Sequence, residues 1–271
     1  MHSPLDRSAT LLKLPPAQGL KAQAATPAPP LPAPVVDEVP AIVLLPALLG
    51  SIAGSTDTIG FLAFGGLFTA HITGNFVVLA AHLVSRGEVS AAVILSVPVF
   101  VTVLLLTRWL VARLDAFGIG LLQPLLLLEC LLLAGFLAMR IVSGTPVHVN
   151  APSAVFAGML GVAAMAVQNA VGQISLRSVS TTAMTANVAR LALDVGDIFV
   201  TRNLHDRNWW WSRTRQGGPI AGFVIGCGLG AVSEAASNRW ALALPVALAA
   251  FALAMSCATN PRTPARCGRE S

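Results

Sequence analysis

The stretch Thr69-Ala70-His71-Ile72-Thr73-Gly74-Asn75 is answered 112 residues later by Thr181-Thr182-Ala183-Met184-Thr185-Ala186-Asn187. The register runs without a gap on both sides: Gly60 falls on Gly172, Asp57 on Asn169, Leu79-Ala80 on Leu191-Ala192, and His82 on Asp194. Thr and Asn are rare in apolar helices, so their coincidence points to a duplicated unit more than to a shared Ala/Leu/Val composition. Repeated polar sites within apolar sequence are a ground plan of membrane transporters, whose binding sites lie between repeats on interrupted helices.

The surrounding sequence fits that plan. Of the 271 residues, 55% are hydrophobic and only 11% charged, with a mean hydropathy of +0.74, more apolar surface than a soluble core absorbs. Eight apolar segments stand out, at about 41–66, 67–84, 91–113, 119–142, 153–172, 181–200, 218–237 and 240–258. Most reach the roughly 20 residues that a helix needs to cross hydrocarbon. The second segment is short on clean apolar sequence, and the sixth carries Arg190, Asp194 and Asp197. The expected fold is therefore all-α: a polytopic membrane protein of six to eight transmembrane or re-entrant helices in two sequence-related halves. Residues 39–258 form the membrane domain, with repeat 1 at about 41–142 and repeat 2 at about 153–258. Residues 1–38 read as a Pro-rich disordered tail, and residues 259–271 as a basic tail.

Net charge is +5 and the pI about 9.7, but the basic residues are scattered between apolar runs, not gathered into a nucleic-acid-binding stripe. The expected partner is the lipid bilayer, with no nucleic acid. Basic residues accumulate in both tails and between Arg202 and Arg215, which places both termini in the cytoplasm by the orientation rule. Charge does not fix the number of crossings. Arg86 and Arg140 change sides with Arg108, Arg113 and Arg177 if segments two and six dip in and return, and the bias stays as good. Four crossings per repeat would make the halves parallel, and three would invert them.

The polar residues Asp57, Thr73, Asn75, Gln168, Asn169, Thr185, Asn187, Arg190 and Asp194 are the candidates for a central cavity. In the sixth segment Asn187, Arg190, Asp194 and Asp197 share one helical face. Arg or Asp at mid-membrane costs roughly 2.5–3.5 kcal/mol on insertion scales, so this face is expected to look into protein or water, as an Arg190–Asp194 pair or as a solute or proton path. Asp57 follows the small-residue run Gly50-Ser51-Ile52-Ala53-Gly54-Ser55-Thr56. That run reads either as a packing surface or as a helix break whose backbone dipoles meet an ion. Thr69, Thr73 and Asn75 suit the cap of a helix beginning near Phe76. His82 reads as a structural or a proton-handling group.

Asp57, Phe61-Leu62, Gly66 and Phe68 through Asn75, followed by Gln168-Asn169-Ala170 and Thr181 through Asn187 with Leu191-Ala192, resemble the two signatures of the YoaK family. Ala186 stands where the second signature usually has Gly, and His71 where Asn is more typical. The resemblance covers about residues 41–258. It implies an integral protein of the bacterial cytoplasmic membrane and brings no substrate or reaction with it.

The four cysteines have no metal-binding spacing. G-x-S-x-G, H-E-x-x-H and phosphate-loop motifs are absent. We expect no metal, no cofactor and no catalysed reaction. The favoured role is a small-solute or ion transporter or channel, with a non-transporting membrane sensor or scaffold as the alternative and an intramembrane enzyme behind both. Oligomeric state is left open.

Overall fold

The structure, a computed structural model, describes residues 39–85, 90–144, 150–175, 184–201 and 207–259, with side chains at 39–43, 194, 195, 197–201 and 207–216 outside the description. The chain divides into two units: Met1–Pro34, which lies outside the described residues, and Val35–Ser271, which carries every element below. The expected tails at 1–38 and 259–271 lie almost wholly outside the described residues.

Among the described residues eight α-helices follow one another: α1 Val39–Ala63, α2 Ile72–Ser85, α3 Ala91–Ala116, α4 Leu122–Ser143, α5 Pro152–Ala170, α6 Met184–Thr201, α7 Arg207–Ser237 and α8 Ala243–Thr259. A π-helical turn, Val171–Ser175, extends α5, and a 3-10 turn, Asn238–Trp240, links α7 to α8. No strand occurs among the described residues. Each helix falls on one of the eight apolar segments. Four spans, Ala91–Ala116, Leu122–Ser143, Pro152–Ile174 and Gly217–Trp240, are long and apolar enough to cross a membrane. This is the build of a membrane protein. α2, with 14 residues, is about 21 Å long against a hydrocarbon core of about 30 Å.

α1 is continuous through Gly50–Asp57, so of the two readings of that run the packing surface is the one seen and the Gly-rich break is not. A Cβ at Gly222 would lie 1.9 Å from the Ala47 carbonyl oxygen, one at Gly226 2.3 Å from that of Ser51, and one at Gly230 2.8 Å from that of Ser55. Each step adds four residues to both helices, so α1 and α7 run in the same direction with their backbones in contact. The α1 hydroxyls do not spoil this dry seam, because Ser55 and Thr56 donate to carbonyls of the preceding turn and Ser51 also reaches the Gly222 carbonyl. The chain break lies further on, at residues 64–71.

The extensive helix pairs are α1 with α7, α3 with α5, α4 with α5, α1 with α8, α4 with α8, α2 with α3, α6 with α7, and α1 with α5. Exchanging α1–α4 for α5–α8 returns the same set of pairs. One end of the bundle holds the starts of α3 and α5, joined where the Ala91 N–H donates to Asn150 Oδ1. It also holds the ends of α4 and α7, where Arg140 bonds Glu234 and Asn238. α1 ends there as well, since it runs in register with α7. The 64–71 segment therefore turns back into the bundle from that end, and α2 leads out again to the start of α3.

Candidate functional site

Asp57 lies six residues before the end of α1, and its buried carboxylate holds the returning chain. Oδ1 accepts the Thr69 N–H at 2.7 Å, the Ala70 N–H at 2.6 Å and the Thr69 hydroxyl at 2.9 Å. Oδ2 accepts the His71 N–H at 3.2 Å and lies 2.6 Å from His71 Nδ1. An anion is favoured beside a helix start, where the macrodipole is positive. Asp57, reaching across from α1, takes the three backbone N–H groups that lead into α2.

Asn75 plays a different part from the cap expected of it, because α2 begins at Ile72 and Asn75 is already in its first turn. Its amide clamps the Phe68 peptide from both sides, Oδ1 accepting the Phe68 N–H at 2.9 Å and Nδ2 donating to the Phe68 carbonyl at 2.8 Å. Nδ2 also donates to Ser96 Oγ on α3 at 2.8 Å. Gly74 allows the same fold-back: a Cβ there would meet the Phe68 ring at 2.9 Å. Asp57 and Asn75 together fix residues 68–71 between α1, α2 and α3.

Beside this cage lies a cavity of about 380 Å3 with Asp57 and His71 on its floor and Phe61, Phe68, Phe223 and Cys227 in its walls. His71 stands edge-on to Phe223, with ring centroids 5.0 Å apart, and is partly exposed. The site thus combines one carboxylate and one imidazole with apolar and aromatic walls, a composition suited to a small ligand with a single polar group. His82 lies elsewhere, in a second cavity with Ser85 and Ser90.

The other sequence candidates divide between the interior and the surface. Asn187 on α6, like Asn75 on α2, is 1% exposed, and residues 181–183 ahead of it lie outside the described residues. Thr73 and Thr185 are both exposed. Gln168 is buried and donates to the Leu49 carbonyl at 2.8 Å, tying α5 to α1. Asn169 accepts from Gln173 one turn on. Arg190 is exposed on α6 and is not among the residues lining the Asp57 cavity. The Asp194 and Asp197 side chains and Thr181 lie outside the described residues. Among the described residues no group of three or more His, Cys, Asp or Glu is placed to hold a metal.

Two buried charged features went unread in the sequence. Arg140 reads as a loop charge, yet its side chain is buried, 2.6 Å from Glu234 and 2.7 Å from Asn238 Oδ1, with the guanidinium over the Phe64 ring. Glu129 sits fully buried in the middle of α4. A lone carboxylate inside an unbroken Leu-rich run was the available signal, since such a group is expensive in a membrane and marks a site by default.

Comparison with known proteins agrees with the sequence resemblance and extends it no further. No curated protein and no solved structure matches the chain. A family model described as a protein of unknown function, DUF1275, matches residues 45–255. With that match covering most of α1 through α8, the chain belongs to the DUF1275 family, the family of the YoaK-like proteins.

Proposed function

We propose that this protein is a multi-pass transporter or channel of the bacterial cytoplasmic membrane, moving a small solute or an ion past the Asp57–His71 site. The observation that carries the reading is a helix start held inside the bundle. A chain that turns back at residues 64–71, is fixed by a carboxylate from α1 and continues as a helix too short to cross is the kind of interruption on which transporters build binding sites.

The reading treats the two halves as inverted repeats, each with three crossings and one short returning helix. α1, α3, α4, α5, α7 and α8 cross; α2 and α6 do not. Support comes from the 112-residue register, the burial of both Asn75 on α2 and Asn187 on α6, and the closure of the packing pairs under exchange of the halves. With six crossings both termini lie on one side, together with Arg177, Arg202 and Arg207, and that side is the cytoplasm by charge. No catalysed reaction is assigned to the site.

Untargeted comparison of solute uptake by knockout and wild-type cells identifies the cargo, and flux in proteoliposomes tests it. Asp57→Ala is expected to abolish flux of a solute that the wild type moves. Absence of any difference in uptake, together with tight vesicles, would sink the transport reading in favour of a sensor or scaffold. Reporter fusions at residue 87 and at residue 204 should report opposite sides; the same side for both would refute the six-crossing arrangement.

A further inference from the structure

Glu129 is the one fully buried acidic side chain among the described residues, and neither of its oxygens has a hydrogen-bond partner. Its place in the fold is specific. Phe136 packs on Gly161 where α4 and α5 run antiparallel as a hairpin. Two turns back along α4 is Glu129, and two turns on along α5 is Gln168, so the two share a level. Gln168 is the residue that bonds α5 to the Leu49 carbonyl of α1. Glu129 is thus set at the level where Gln168 ties α5 to α1.

Its surroundings hold no counter-charge. α5, α8, the π-helical turn and the 3-10 turn pack along α4, while α7 meets it at Arg140 through Glu234 and the 64–71 segment meets it through Phe64 on Phe136. α5 and the π-helical turn contain no titratable side chain, α8 contains only Cys257, which is exposed, and the 3-10 turn contains only Arg239 at the bundle end. On α4 itself the other titratable groups are Cys130, adjacent in sequence, and Arg140, three turns away and already bound to Glu234. A cation site needs several oxygen ligands around the ion, whereas Glu129 lies among Leu125, Leu126 and Leu133 on its own helix. An ionised carboxylate without donors or a cation is the costliest occupant of such a place. The neutral acid is the form that fits.

We propose that Glu129 is a proton-binding site, taking up and releasing a proton as the halves move against each other and so supplying the ion that couples solute movement. The coupling role rests on the transport reading above; the exchange of a proton at Glu129 does not, and the two are tested separately.

Dicyclohexylcarbodiimide, an apolar reagent, reads protonation directly on the full chain in proteoliposomes. The acid proton passes to one diimide nitrogen while the carboxyl oxygen bonds the central carbon. The resulting O-acylisourea rearranges to a stable N-acylurea, so nothing is oxidised and nothing leaves. Mass spectrometry should find the adduct at Glu129, with its rate of formation falling at least about tenfold as the pH is raised through the titration. Sodium or potassium should not protect it. Glu129→Gln should lose the adduct and keep the fold, Glu129→Asp should retain a pH-dependent adduct, and the infrared carboxyl band of the wild type should exchange in deuterated buffer and be missing from Glu129→Gln. A pH-independent adduct with a non-exchanging band would make Glu129 a locked structural acid and overturn the proposal. Protection by an alkali cation would replace the proton with that cation, and no adduct and no band would also refute it. Loss of flux from every preparation with labelling intact would refute transport and leave the proton site standing.

Discussion

Removing the Asp57 carboxylate tests whether the returning chain is held as described. In Asp57→Ala the Thr69 and Ala70 N–H groups, both in buried residues, lose their acceptor, and so do the Thr69 hydroxyl and the His71 groups. Leaving a buried donor unsatisfied costs about 1–3 kcal/mol, so the two buried N–H groups alone set an expected loss of about 2–6 kcal/mol. Asp57→Asn keeps one oxygen for the Thr69 and Ala70 donors but turns an NH2 toward the His71 N–H, and should cost less, about 1–2 kcal/mol. Asn169, at the matching place in the second half, already carries that amide. Equilibrium unfolding of the purified chain in mixed detergent–SDS micelles measures both variants, and cysteine accessibility of a probe placed at residue 66 reports whether the 64–71 segment comes loose. Asp57→Ala within about 0.5 kcal/mol of wild type, the range of ordinary surface changes, would refute the cage, as would Asn being worse than Ala.

The α1–α7 seam predicts that Gly222→Ala, whose methyl would sit 1.9 Å from the Ala47 carbonyl oxygen, forces the helices apart and costs about 1–3 kcal/mol or more. Gly228→Ala on the same helix meets nothing within 4 Å and should be neutral or slightly stabilising by helix propensity; equal effects in the same unfolding assay would refute the close approach. Arg140→Met and Glu234→Met should each cost about 3–5 kcal/mol by orphaning a buried partner, with the double variant well short of their sum. Additive losses in that double-mutant cycle would show the two charges to be independent.

The sequence by itself determined the class and the linear plan. Each of the eight apolar segments carries a helix, because a chain without water to satisfy its backbone has to hydrogen-bond within each segment, although α7 starts at Arg207, well ahead of the segment expected from about 218. The 112-residue register pairs Asn75 on α2 with Asn187 on α6, and both are buried. Which face of each helix meets protein was beyond its reach. Lipid is as apolar as Leu, so Val93 and Val111, buried, look no different in sequence from Leu105 and Leu106, exposed on the same α3. In a soluble protein the amphipathic stripe separates those faces; here it is missing.

Polar partners were decided by tertiary structure alone. Asp57 reads as a group beside a helix break, yet it holds donors 12 to 14 residues away across a turn. Arg140 looks like a loop charge until α7 brings Glu234 to it from 94 positions along the chain. Arg190 reads as facing protein or water by its insertion cost, and on α6 it is exposed; its expected partner Asp194 has its side chain outside the described residues. Glu129 is the reverse case, a charge whose price in apolar surroundings was legible from composition while its isolation was not. A carboxylate's chemistry depends on what lies within about 3 Å of it, and for these residues the neighbours come from helices that only the folded bundle brings together.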